Sequence, residues 1–125
     1  MDYQIISKPV GGLPRPIGRV FFMQPIVKIF CLLVNNAGVG CVAPLECMTM
    51  EHIKQMFDVN FFGSVRLIQA VLPGMEARQD GYIVNVSSIF GITGGPFNDM
   101  YSAAKFAMGG LTESLAPVLK QFNIR

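Results

Sequence analysis

Titratable chemistry is thin in this sequence. It has one histidine and three cysteines, and charged residues make up only 14% of its 125 positions. His52 has no partner at metal-ligand spacing and reads as an ordinary helix residue. Cys31, Cys41 and Cys47 are odd in number and form no C-x-x-C pair. That argues against a disulfide framework or a zinc site and for reduced, cytosolic thiols. No run of eighteen apolar residues occurs, because Arg19, Gln24, Pro25 and Lys28 interrupt the best window, so no membrane-spanning helix is expected. The first thirty residues also lack the apolar core followed by small residues that marks a cleavable signal. With a net charge of +2 and no basic patch interleaved with aromatics, nucleic acid is not an expected partner.

Apolar residues, by contrast, are abundant at 51%. In a chain long enough for one domain at most, this predicts strands buried on both faces. Charge is unevenly placed. Residues 1–30 carry Lys8, Arg15, Arg19 and Lys28 against Asp2, a net +3, which leaves −1 for the rest. Residues 1–29 are therefore read as an irregular, basic and apolar segment, distinct from a domain over 30–125. A peripheral membrane contact or an organelle-directing role for that segment stands as the alternative to simple packing. Gly12 to Gly18 do not form a phosphate-binding loop, since no buried strand precedes them and Pro14 and Pro16 lie among them.

The run from Ile26 to Val34 is short and β-rich and ends in the polar turn Asn35-Asn36-Ala37-Gly38. A helix is predicted after Thr49, a good N-cap with Glu51 in the first turn. Ile53, Met56, Phe57, Phe61, Val65, Ile68 and Leu72 give it one apolar stripe, with Asn60 on that stripe and a bend expected near Gly63. Pro73-Gly74 and the polar run to Asp80 are expected to close it. A second apolar strand, opened by Gly81, runs Y-I-V-N-V-S to Ser87-Ser88. Strand, long connection and strand predict a right-handed parallel crossover. After the loop Gly91–Pro96, Asn98 or Asp99 caps a last helix with the stripe Tyr101, Lys105, Met108, Leu111, Leu115, Val118 and Phe122. Pro117 is expected to kink that helix, and a further crossover strand is expected to begin where the chain reaches Arg125.

Tyr101 and Lys105 lie one helical turn apart, so phenol and ammonium share a face. An ammonium close to a phenol favours the phenolate, which suits proton exchange with a substrate oxygen near neutral pH. Alone the pair is weak evidence, because chance supplies about one in eight chains of this composition with a Tyr-x-x-x-Lys. Its context is more specific. Ser88 follows the second strand thirteen residues before Tyr101, Asn60 lies twenty-eight before Ser88, and Asn36 twenty-four before Asn60.

These four motifs, N35-N36-A37-G38, Asn60 within F-D-V-N-F-F-G, Ser88, and Tyr101-S-A-A-Lys105, resemble those of the short-chain dehydrogenase/reductase family over residues 30–125. The stretches P-F-N-D-M-Y-S-A-A-K-F-A and V-R-L-I-Q-A-V-L-P-G-M are most similar to its branch of retinol and 17-beta-hydroxysteroid dehydrogenases. The resemblance implies an α/β fold, the central portion of a doubly wound, Rossmann-like parallel sheet. It implies hydride transfer between NADP, with NAD not excluded, and a carbonyl or alcohol carbon of a lipophilic substrate, retinal or retinol, with an estradiol/estrone steroid as the alternative. Tyr101 would exchange the proton, and Lys105 would stabilise its phenolate and bond the nicotinamide ribose. Ser88 would orient the substrate oxygen, and Asn60 would hold the kinked helix and a water leading to Lys105. Asn36, Ala37 and Gly38 would flank the adenosine and ribose of the cofactor. A homodimer through the Asn60 and Tyr101 helices is also implied.

The family's glycine-rich turn, T-G-x-x-x-G-I-G, does not occur in the sequence, nor does the substrate-covering part that follows the tyrosine helix. The expectation is therefore a truncated enzyme with weak cofactor binding, or a non-catalytic dimerisation partner. Incompletely covered strands predict poor solubility in isolation.

Overall fold

The computed structural model describes residues 30–125. The segment assigned to residues 1–29, including the first four residues of the predicted first strand, lies outside the described residues. Two strands, β1 (Leu32–Asn35) and β2 (Tyr82–Asn85), pair in parallel with Leu32 opposite Tyr82 and Asn35 opposite Asn85. The connection between them is helical throughout most of its length, as a parallel pair requires. On the far side of β2, Ile124 forms a parallel bridge with Gly81, and Ile83 N–H donates to Arg125 O at 2.8 Å. The third strand expected from the sequence thus begins at its predicted place.

Among the described residues, the expectation of strands covered on both faces is met on one. Leu33 and Ile83 pack against a core of Val71, Met75, Leu119 and Ile124. Leu32, Val34, Tyr82 and Val84, on the alternate face, remain exposed. The reason is geometric: the helices that supply Met75 and Leu119 both lie on the Leu33–Ile83 side, and side chains alternate along a strand. Each fully buried Met or Leu on that side contributes about 1.5–3 kcal/mol. Gly81 permits the close fit, since a Cβ there would stand 2.6 Å from Met75 Sδ.

Helix α1 (Met50–Phe57) starts as predicted, with Thr49 Oγ1 accepting from His52 N–H at 3.2 Å. It runs into a π turn (Asp58–Phe62) and then helix α2 (Gly63–Arg78). The bend expected near Gly63 is therefore this π turn, closed by the Gly63 N–H on Asp58 O. Pro73 does not end the helix. It removes one ladder bond, but the chain continues to Arg78, where Gln79 turns left-handed (φ 57°) and Asp80 N–H caps Met75 O.

Helix α3 (Asp99–Leu119) likewise passes through Pro117 and tightens into a 3-10 turn at Lys120–Phe122. Its stripe shifts at the end: Leu119 is buried and Val118 is 50% exposed, the reverse of the predicted pattern. Asn98 occupies the N-cap position, but its side chain donates to Pro96 O rather than accepting from the helix.

Candidate active site

The loop after β1 and the π turn are joined through one side chain. Asn60 is 1% exposed; its Oδ1 accepts from Val39 N–H at 2.8 Å and its Nδ2 donates to Val39 O at 2.7 Å. This two-point clamp satisfies a buried amide and fixes the loop that contains Asn36, Ala37 and Gly38. On the outer side of the turn, Arg66 Nη1 meets Asp58 Oδ1 at 2.7 Å. The hydrogen bond from Arg66 holds the Asp58 carboxyl below its ordinary range, and the same bond raises Arg66.

Lys105 is the second buried polar group, 5% exposed, with Nζ donating to Val86 O at 3.1 Å just beyond β2. The same Nζ lies 5.8 Å from the centre of the Tyr101 ring, so the predicted pair does share a face. Gly38 sits against both buried groups: a Cβ there would stand 3.2 Å from Asn60 Oδ1 and 3.7 Å from Lys105 Nζ. Tyr101 in turn lies beside Gly40, whose Cβ position is 4.0 Å from the ring. Asn60, Gly38, Lys105 and Tyr101, up to 67 residues apart in sequence, therefore form one contiguous patch.

Ser88 caps the 3-10 turn Ile89–Gly91, its Oγ accepting from Phe90 N–H at 3.2 Å. It joins the patch through Phe90, whose ring meets the Tyr101 ring edge to face at 6.2 Å. Asn36, Ala37 and Gly38 line the exposed side of the loop. The residues present fit the nicotinamide-ribose end of a dinucleotide. A lysine has three donors and only one bonds to protein among the described residues, while Gly38 leaves open the space beside Lys105 that a side chain would fill. A glycine turn leading into a helix, which would hold the pyrophosphate, is absent among the described residues.

Three features escaped the sequence reading. Asn35 Nδ2 donates to Asn85 Oδ1 at 2.8 Å, Asn85 Nδ2 to Thr112 Oγ1 at 2.9 Å, and Thr112 Oγ1 to Met108 O at 2.8 Å. This chain ties the ends of both strands to the middle of α3. A Cβ on Gly91 would overlap the Ser87 hydroxyl and lie 3.3 Å from Lys105 O, so the 3-10 turn rests directly on α3. Phe90 is the third. Only the glycine at 91 carries a local signal; the others are contacts between distant segments.

A family model described as short chain dehydrogenase matches residues 24–125, and the chain belongs to that family. Human retinol dehydrogenase 8 is 56% identical over 93 residues, covering 74% of this chain and 30% of that protein. Human 17-beta-hydroxysteroid dehydrogenase type 1 is 45% identical over 93 residues, covering 74% of this chain and 28% of that protein. Among solved structures, a metagenomic short-chain oxidoreductase in complex with NADP superposes with a TM-score of 0.72 at 36% identity. That match covers 75% of this chain and 42% of the other. The chain thus spans less than a third of the length of the two named dehydrogenases. The fold is part of the α/β sheet of short-chain dehydrogenases, and no helix among the described residues is long and apolar enough to cross a membrane.

Proposed function

We propose that this chain carries the acid–base half of an NADP-dependent oxidoreductase that interconverts an alcohol and a carbonyl on a lipophilic substrate, retinol and retinal first. The observation that carries the reading is Lys105. A buried ammonium is costly unless paired, and among the described residues its neighbours are a carbonyl, a tyrosine ring and a glycine, with no carboxylate. Such an unpaired buried cation beside a phenol is the arrangement expected where proton transfer is organised.

The nicotinamide, when bound, supplies or takes the hydride at the substrate carbon. In reduction, the Tyr101 phenol gives its proton to the carbonyl oxygen, and Lys105 stabilises the phenolate left behind. In oxidation the phenolate takes the proton back. The Ser88 hydroxyl keeps its proton and hydrogen-bonds through it to the same substrate oxygen as negative charge develops there. Asn60 holds Val39, and with it the loop of Asn36, Ala37 and Gly38 that would flank the adenosine and ribose of the cofactor. The similarity to retinol dehydrogenase 8 favours a retinoid, and that to the type 1 steroid enzyme makes estrone the second substrate to try.

The test is a chimera in which this chain's 93 matching residues replace their counterparts in human retinol dehydrogenase 8. It is expected to reduce all-trans-retinal with NADPH, and Tyr101→Phe is expected to lower the rate about 10²–10⁴-fold. A folded, NADPH-binding chimera no faster than its Tyr101→Phe variant would sink the proposal. The 125-residue chain alone is expected to turn over weakly, because its sequence has no glycine turn for the pyrophosphate.

A second reading rests on the outer helix surfaces. Ile53, Phe57, Val59 and Phe62 line an open groove along α1 and the π turn, and Phe106 on α3 is 46% exposed. These apolar surfaces suit pairing with a second copy, the homodimer that the family resemblance implies. Sedimentation equilibrium checks it: a monomer at all concentrations refutes the pairing.

A further inference from the structure

The two hydroxyls assigned to proton transfer and substrate orientation do not touch each other. One residue touches both. The Phe90 amide donates to Ser88 Oγ at 3.2 Å, and the Phe90 ring stands nearly perpendicular to the Tyr101 ring, at 85°, with centroids 6.2 Å apart. A serine hydroxyl has two acceptor lone pairs and one proton. With the amide on one lone pair, the hydroxyl keeps its proton for a group in front of the site. The aromatic edge fixes the Tyr101 ring from one direction, while Lys105 Nζ approaches it at 5.8 Å.

Phe90 is itself held from behind. A Cβ on Gly95 would run into the Phe90 ring, so the loop leading to α3 closes on that ring only because residue 95 lacks a side chain. Beneath it, Gly91 lets the 3-10 turn rest on the backbone of Lys105. The ring therefore meets a contact that only glycine permits, at Gly95, as well as the Tyr101 ring. The amide bond to Ser88 is the cap of the 3-10 turn and needs only a backbone N–H at residue 90, whereas the perpendicular contact with Tyr101 is made by the ring itself.

We infer that Phe90 is a positioning residue that sets Ser88 and Tyr101 relative to one another, with Gly95 as its backstop. The inference rests on the assignment of those two residues to the oxidoreductase site. Its test reads geometry without turnover, so its failure and the failure of that assignment are distinguishable.

The sequence has three tyrosines, Tyr3, Tyr82 and Tyr101. In the full chain with Tyr3→Phe and Tyr82→Phe, 3-fluorotyrosine labels Tyr101 alone, and 19F NMR reports how the ring is held. A boxed ring gives two resolved or exchange-broadened signals for its two fluorine orientations; a free ring gives one narrow averaged line. The boxed pattern is expected for the parent chain and for Phe90→Trp, which keeps an aromatic edge. The averaged line is expected for Phe90→Leu, and also for Gly95→Ala, which displaces the ring without altering it. Helix content by far-UV circular dichroism is expected to stay unchanged in all of them. An unchanged boxed pattern in Phe90→Leu and Gly95→Ala overturns the inference. So does loss of helix content in both, since Phe90 would then be packing for the fold rather than a guide for Tyr101.

Discussion

Asn60 and Lys105 are both polar residues buried on long helical arms, 1% and 5% exposed, but their surroundings differ. Asn60 has both ends of its amide bonded to one neighbour, Val39, and it lies where the helix departs from α geometry. Lys105 has a single described hydrogen bond, to Val86 O, and lies on an uninterrupted α-helix that keeps it one turn from Tyr101. The first residue is finished by the fold; the second still has donors to offer. Local irregularity goes with the group that must be immobile, and helical regularity with the pair that must stay in phase.

The largest effect that would break this contrast is expected from Asn60→Leu. It removes both bonds to Val39, and the loss is expected to be about 2–3 kcal/mol in urea unfolding, with faster hydrogen exchange at the Val39 amide. Midpoint and exchange both unchanged would mean that the loop stands without the clamp. Next comes Gly91→Ala, where the added methyl presses on Ser87 and on the Lys105 carbonyl, at about 1–3 kcal/mol. Thr112→Val is isosteric, removes the hydroxyl that receives Asn85, and is expected to cost about 1 kcal/mol, with Thr112→Ser restoring most of it.

The smallest effect belongs to Asp58. Its folded carboxyl sits below its unfolded value, so its bond to Arg66 adds stability above the ordinary carboxylate range of about 3.9. That stability is lost as pH falls through the folded value. Asp58→Asn should therefore flatten the acid limb of the stability profile slightly, and less at high salt, because the pair is fully solvated. An equally steep limb in the variant would show that other carboxylates set it.

Much of this was readable because the signals are local. Thr49 caps where its chemistry says it should, the first strand ends at Asn35 as its polar tail suggests, and Tyr101 and Lys105 need only helical spacing to meet. The second strand, by contrast, stops at Asn85, short of the Ser87 expected. The misreadings also share a physical origin. Pro73 suggests a helix end, yet it removes one bond only, and packing of Met75 into the core carries the helix on to Arg78. The one-sided cover of the strands depends on where the helices go. No periodicity encodes that, just as none brings Phe90 to Tyr101 or Thr112 to Asn85.

The π turn has a consequence for the length of the arm that contains it. Buried positions there step by four, through Met56, Asn60, Ser64 and Ile68. Twelve residues cover three turns for which a regular α-helix uses about 10.8, and the wider turn absorbs the surplus of about one. What reads as a single amphipathic helix is two, out of phase by roughly one residue, about 100° of rotation. Removing any one residue between Phe57 and Gly63 would let the arm relax into a plain helix. It would then be unable to face the Val39 loop and the β-sheet at once.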